Sequence, residues 1–182
     1  IYSSMGRNAK IISKSQIRRF NLLMILVLLG TQNNSFHRLL EEIDNLIQKG
    51  IIKEEVVVQA GYTKYETSNM KQFDLIDSKE FEELQQKARI IITHGGVGSI
   101  ISSIKKGKKV IAVPRLHEYG EHVNNHQKQI VELFKEKGYI IGISDVKDLE
   151  KALLEVEKFK PVKFQQNNEK MLKLIENFID SI

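Results

Sequence analysis

Six consecutive residues, His94-Gly95-Gly96-Val97-Gly98-Ser99, put a titratable ring beside three glycines and a hydroxyl. Glycines let the backbone approach a ligand closely, and a helix N-terminus just beyond them attracts an anion, above all a diphosphate. His94 has two readings: a satisfied histidine at a strand end, or a contact to a ligand held by the three glycines behind it. A second polar cluster, Glu121, His122, Asn125 and Gln127, follows Pro114. A Glu beside a His on a solvated loop is either plain surface or a working pair. His117, His122 and His126 lack the fixed spacing and the accompanying Asp of a metal site, so no metal is assigned. Gly30-Thr31 is a weaker phosphate turn, without the Gly-Lys-Ser/Thr of a Walker loop. His37, on the first helix, faces either the crevice or solvent.

These residues need elements to hold them. Arg89–Thr93 and Lys109–Val113 are apolar runs of strand length, joined by a helix over Ser99–Lys106, which is the pattern of a buried parallel βαβ unit. The loops beginning at His94 and Pro114 then lie at the carboxyl edge of a sheet, where open α/β folds bind ligands. The same alternation runs through the rest of the chain. Leu22–Leu29 reads as a first buried strand, and Phe36, Leu39, Leu40, Ile43 and Ile47 as a helix stopped at Lys49-Gly50. Glu55–Ala60 and Gln72–Ile76 read as strands, and Asp77-Ser78 as a cap on the helix carrying Phe81, Leu84 and Ala88. A helix through Ile130 and Phe134, a strand over Tyr139–Ile143 and a helix over Asp145–Val156 follow. Met171–Ile179 forms a last apolar stripe, for the core or for docking to another chain. The fold expected is α/β: a doubly wound, Rossmann-like parallel sheet.

The chain has 182 residues, enough for one such domain, and no Cys, which excludes disulfides and thiol chemistry. Its net charge of +5 hints at nucleic acid until it is located. Residues 1–21 hold five basic residues (Arg7, Lys10, Lys14, Arg18, Arg19) and no acid, and the 23 basic side chains beyond them equal the 23 acidic ones. The basicity belongs to a leader, so a phosphate-backbone face on the domain is not expected. Residues 1–21 are taken as a basic leader, disordered or artificially appended, or else a membrane-surface arm; residues 22–182 are taken as a single domain. Leu22–Leu29 is too short to span a bilayer, and no small-residue cleavage site follows it, so a signal peptide is rejected. A dinucleotide reading of the glycine turn also fails: Gly96-x-Gly98 lacks the third glycine and lies on a late strand.

Taken together, the combination T-H-G-G-V-G-S-I, then G-K-K and V-I-A-V-P, then a polar loop ending N-H-Q resembles the C-terminal domain of family 28 glycosyltransferases. Over about Met24 to Phe159 it is similar to the soluble subunit of two-component bacterial transferases of capsule and exopolysaccharide synthesis. These resemble the eukaryotic subunit that adds the second N-acetylglucosamine to dolichol diphosphate. The resemblance implies the C-terminal half of a GT-B enzyme that binds a UDP-sugar, UDP-galactose as first guess. The donor is a substrate, so no cofactor is expected. A membrane-anchored partner would complete a heterodimer and its active site for transfer to a lipid-linked acceptor, at the cytoplasmic face of the membrane. It further implies that Gly30 and Thr31 form the first phosphate-side turn. His94, Gly95, Gly96, Gly98 and Ser99 would hold the diphosphate, and Glu121, His122, Asn125 and Gln127 would face the donor sugar and ribose. Leu75 or Ile76 would lie near the uracil. His94, Glu121 and His122 are then the expected catalytic residues, His94 by donating to a phosphate oxygen as charge grows on the leaving nucleotide. Ser102 stands where many relatives carry a ribose-binding Glu. The alternatives are a UDP-sugar epimerase and a non-catalytic nucleotide-binding or stabilising subunit.

Overall fold

A computed structural model describes residues 13–17, 23–74 and 76–164. Six parallel strands form one sheet in the order β3-β2-β1-β4-β5-β6: β1 (Ile25–Leu28), β2 (Val56–Gln59), β3 (Lys71–Phe73), β4 (Ile90–His94), β5 (Lys109–Val113) and β6 (Ile141–Gly142). β1, β2 and β4 are buried at every position, which is why their sequences are continuous apolar runs and not alternations. Successive residues nevertheless serve opposite faces. Leu26, Leu28, Val57, Ile91 and Val110 pack on one side, and Ile25, Val27, Val58, Ile90 and Ile111 on the other.

Helices cover both faces. α3 (Ser78–Lys87), α4 (Val97–Lys105) and α5 (His126–Glu136) bring Leu84, Ile100 and Phe134 to the first face. α2 (His37–Gln48) and α6 (Leu149–Lys158) bring Leu39, Leu40, Ile43 and Val156 to the second. The doubly wound expectation is therefore met. β4 and β5 pair in parallel from Ile90↔Lys109 to His94↔Val113, joined by α4, as the βαβ reading requires. Asp77 caps α3, its carboxylate accepting from Lys79 N at 2.9 Å.

β1 is central: from it the chain winds outward through β2 and β3, then returns to β4 on its other flank. The carboxyl ends of β1 and β4 therefore border the switch point, the crevice where a ligand fits this topology. Three sequence expectations need adjustment. The third strand is Lys71–Phe73 and not Gln72–Ile76, and the last strand is only Ile141–Gly142. Within the leader, Lys14–Ile17 form a helical turn, α1, whose Ile17 is fully buried and whose Ile17 carbonyl accepts from Lys87 Nζ at 2.7 Å. These few residues pack against the domain. The remaining leader residues, Leu75 and the Met171–Ile179 stripe lie outside the described residues. Among the described residues, no helix is long and apolar enough to cross a membrane.

Candidate functional site

β4 ends by delivering His94 into the switch point, where its ring is almost wholly buried. Nδ1 lies 3.2 Å from the carbonyl oxygen of Leu28. A carbonyl only accepts, so the neutral ring carries its proton on Nδ1 and presents a lone pair at Nε2. Two glycines make room for it: a Cβ on Gly30 would stand 2.7 Å from His94 Cε1, and one on Gly96 2.3 Å from Nε2. Burial pushes the imidazole pKa down to about 4, and the charges of Arg115 and His122 push the same way, against the Leu28 carbonyl. His94 is thus neutral at rest, and its expected donation to a phosphate oxygen requires a proton at Nε2 that the resting ring lacks.

The stronger anion site is the start of α4. No side chain caps it at Gly96, and the first intrahelical bond is Ile100 N to Gly96 O at 3.1 Å. The amides of Val97, Gly98 and Ser99 precede that bond, at the positive end of the helix dipole. Among the described residues, nothing stands within 4 Å of where a Gly98 Cβ would be, which leaves room for a ligand against the backbone there. Ser102, by contrast, is turned inward: its hydroxyl donates to Ser99 O at 3.1 Å and accepts from Gln85 Nε2 at 3.0 Å.

Two glutamines clamp the turns. Gln127, buried in the first turn of α5, accepts with one oxygen from Gly95 N (3.1 Å) and Arg115 N (3.0 Å), joining the glycine turn to the end of β5. A Cβ on Gly95 would lie 2.7 Å from Gln127 Cβ. Gln59 does the same for β1, accepting from Gly30 N at 3.1 Å and donating to Gly30 O at 3.0 Å and Asp74 O at 3.2 Å. Gly30 itself needs φ +77, in the left-handed region. Thr31 is exposed at the rim beside it, and Ile76 is half-buried against the core face that carries α3 and α4.

The polar loop after β5 departs from expectation. Glu121 is buried and its carboxylate is engaged: Arg38 Nε donates to Oε1 at 3.0 Å, and Arg38 Nη2 (2.9 Å) and Leu116 N (3.0 Å) donate to Oε2. It braces the loop and is not free to take a proton. Gln127 likewise spends its oxygen on backbone amides. Asn125 accepts from His117 N at 3.0 Å on an exposed turn. His122 Nδ1 accepts from Asn124 N at 3.3 Å, which leaves the ring's N–H on Nε2. His37 is exposed, its ring 4.9 Å edge-on from that of Tyr65. Among the described residues, no three His, Asp or Glu side chains are placed to hold a metal ion.

Arg115 escaped the sequence reading. It directly follows Val113-Pro114 and is 1% exposed, with Nη2 donating to Leu29 O at 2.7 Å and Nη1 to Asn34 O at 2.5 Å and Glu121 O at 3.2 Å. Burial lowers its pKa to about 10, Glu121 opposing, so it stays a cation at neutral pH. The available signal was a charged residue one proline beyond the buried run Val110–Val113, which must find partners inside.

The site therefore joins an uncapped helix start, an open glycine backbone and a buried cation at a switch point. Similarity to known proteins bears on the family and the fold. The chain is 42% identical over 53 residues to the UDP-N-acetylglucosamine transferase subunit ALG13 of Candida glabrata, an alignment covering 29% of this chain and 25% of that protein. An NMR solution structure of ALG13 superposes with TM-score 0.50 and 20% identity, over 84% of this chain and 96% of that one. Os79 of O. sativa, solved in complex with UDP, superposes at TM-score 0.60 with 14% identity, covering 84% of this chain and 36% of Os79. The chain thus spans about a quarter of the curated relative and little more than a third of Os79. At these identities the superpositions establish the fold. The model of the glycosyltransferase family 28 C-terminal domain matches residues 24–182, and the chain belongs to that family.

Proposed function

We propose that this domain binds a UDP-sugar and, with a membrane-anchored partner, transfers the sugar with inversion to a lipid-linked acceptor in polysaccharide synthesis. The observation that carries the donor half is the uncapped start of α4 behind Gly95-Gly96, at the carboxyl edge between β1 and β4. In such a transfer the acceptor oxygen bonds to the anomeric carbon, the bond from that carbon to the phosphate oxygen breaks, and UDP departs with the electron pair. The amides of Val97, Gly98 and Ser99 are suited to the charge that develops on the diphosphate. His122 offers a donor nearby through Nε2. UDP-galactose is the first donor to test.

The acceptor's proton needs a base. Glu121 is committed to Arg38 and Leu116 N, and resting His94 lends Nε2 only within a buried pocket. We therefore assign the base and the acceptor site to the partner, which also supplies attachment at the cytoplasmic face of the membrane. The similarity to a protein named as a transferase subunit supports a two-chain arrangement. Calorimetry should detect UDP binding to the purified chain; no binding at millimolar UDP would remove the reading. The engaged Glu121 also keeps a second reading in view, a nucleotide-binding subunit that only stabilises its partner. Gly96→Val separates the two, since a stabilising subunit still supports transfer by the complex and a donor site does not.

A further inference from the structure

The two loops that border the crevice are laced together from behind. Arg115 crosses from the end of β5 to the carbonyls of Leu29 and Asn34 in the β1–α2 turn, and back to that of Glu121 in the β5–α5 loop. Arg38, from α2, crosses the other way to the Glu121 carboxylate and to Pro114 O at 3.4 Å. Asn34 Nδ2 adds a bond to Gly120 O at 3.2 Å. Phe36 fills the centre, with the guanidinium carbons of Arg115 and Arg38 5.2 and 5.6 Å from its ring.

As a device for stability alone, this is a poor choice. A buried cation is expensive to desolvate, and apolar residues of similar volume commonly serve a core as well or better. Arg115 has no carboxylate of its own among its hydrogen-bond partners, since Glu121 gives Arg38 both oxygens. Among the described residues, its buried Nε has no hydrogen-bond partner. Two guanidinium groups against one carboxylate leave one positive charge in low dielectric beneath a crevice suited to an anion, and the field of Arg115 reaches the His94 ring.

Resting on the donor-binding reading above, we propose that Arg115 is a positioning residue: with Arg38 it latches the β1–α2 turn to the β5–α5 loop, and donor affinity depends on that latch. Gly30 and Thr31 on one side, and the glycine turn held through Gln127 on the other, keep their relative placement only while it is closed.

The test is UDP calorimetry on the purified chain at a temperature well below every variant's Tm. Arg115→Met should weaken UDP binding by about tenfold or more, the scale expected when a site is misplaced from a distance. Arg115→Lys should recover only part of that loss, because one ammonium cannot span the carbonyls that the guanidinium reaches. Val156→Ala, buried on α6 near the Lys109 end of β5, should lower Tm and leave the affinity unchanged. Wild-type affinity in both Arg115 variants overturns the proposal. Should Arg115→Met not fold, the double variant Asn34→Ala with Arg38→Gln cuts the outer strands of the latch; it should weaken binding by about threefold or more, and unchanged affinity overturns the proposal equally. Absence of UDP binding by the wild type would instead defeat the donor reading. The latch is then judged by the ring resonances of His94, which Arg115→Met (or the double variant) should shift and Val156→Ala should not; no shift would overturn it.

Discussion

At the scale of the residue, the neutral state of His94 sets both its chemistry and an acid limit on the domain. An unfolded chain binds a proton at this ring near pH 6.5, whereas the folded ring resists protonation until about pH 4. Between those values the unfolded state holds more protons, so stability falls as pH drops through 6.5 towards 4 and changes no further from this group below it. The separation corresponds to roughly 3 kcal/mol at full effect. Denaturant titrations at pH 7 and pH 5 should show a little over half of this loss, roughly 2 kcal/mol, and His94→Gln should reduce the difference between the two. A bound diphosphate reverses the balance at the ring by favouring its cation, so UDP binding near pH 6 should take up protons. Calorimetry in two buffers of different ionisation enthalpy measures that uptake, with His94→Gln as the control that removes the ring's share and keeps that of the UDP phosphate; equal uptake by both proteins would show that the ring stays neutral. Gly96 is bound to the same ring: Gly96→Val places a side chain where Nε2 stands, and should lower UDP affinity by at least about a hundredfold. The roles of Glu121 and Arg115 were hidden from sequence for one reason. A loop's polar residues can be counted, but which of them face inward depends on partners such as Arg38, 83 positions away along the chain.

At the scale of the element, apolar runs marked the central strands because a parallel strand covered on both faces has no polar side. The edge strands were less legible. β3 begins at exposed Lys71 and β6 holds two residues, so neither carries a run long enough to fix its ends. The helix starts were legible where chemistry marks them, as at Asp77, and less so at α5, which begins at His126 after a run of polar residues. What no periodicity reveals is the use of Gln59 and Gln127 as clamps. Each is a buried amide that replaces a missing backbone ladder between a strand end and a glycine turn. Gln127→Leu keeps most of the volume but leaves the amides of Gly95 and Arg115 without their acceptor. An orphaned buried donor costs about 1–3 kcal/mol, so the variant should lose roughly 2–5 kcal/mol of unfolding free energy and also bind UDP less well. Stability unchanged within error would mean that the turn closes without the clamp.

At the scale of the whole molecule, the winding order explains why chemistry gathers at one edge. β1 and β4 are neighbours although β2, β3 and three helical or loop connections separate them in sequence, so Gly30 and His94 meet only once the sheet is complete. The resulting crevice has a helix dipole, a buried cation and an imidazole N–H on one side. It has no uncommitted carboxylate among the groups described above, and a transfer that lacks its general base loses roughly 10²–10⁴-fold in rate. Donor recognition and acceptor activation should therefore separate biochemically. The purified chain should bind UDP and the UDP-sugar, yet transfer sugar at least about a hundredfold more slowly than the complex with its partner. Adding partner should raise the transfer rate without a matching change in UDP affinity if, as proposed, the diphosphate contacts belong to this chain. Carboxylate-to-amide variants scanned through the partner should find the base, whereas Glu121→Gln should weaken donor binding through the loop without the rate loss of a missing base. Full transfer by the chain alone would place a base within this domain and make His94 Nε2, the lone pair exposed by its own tautomer, the first group to suspect.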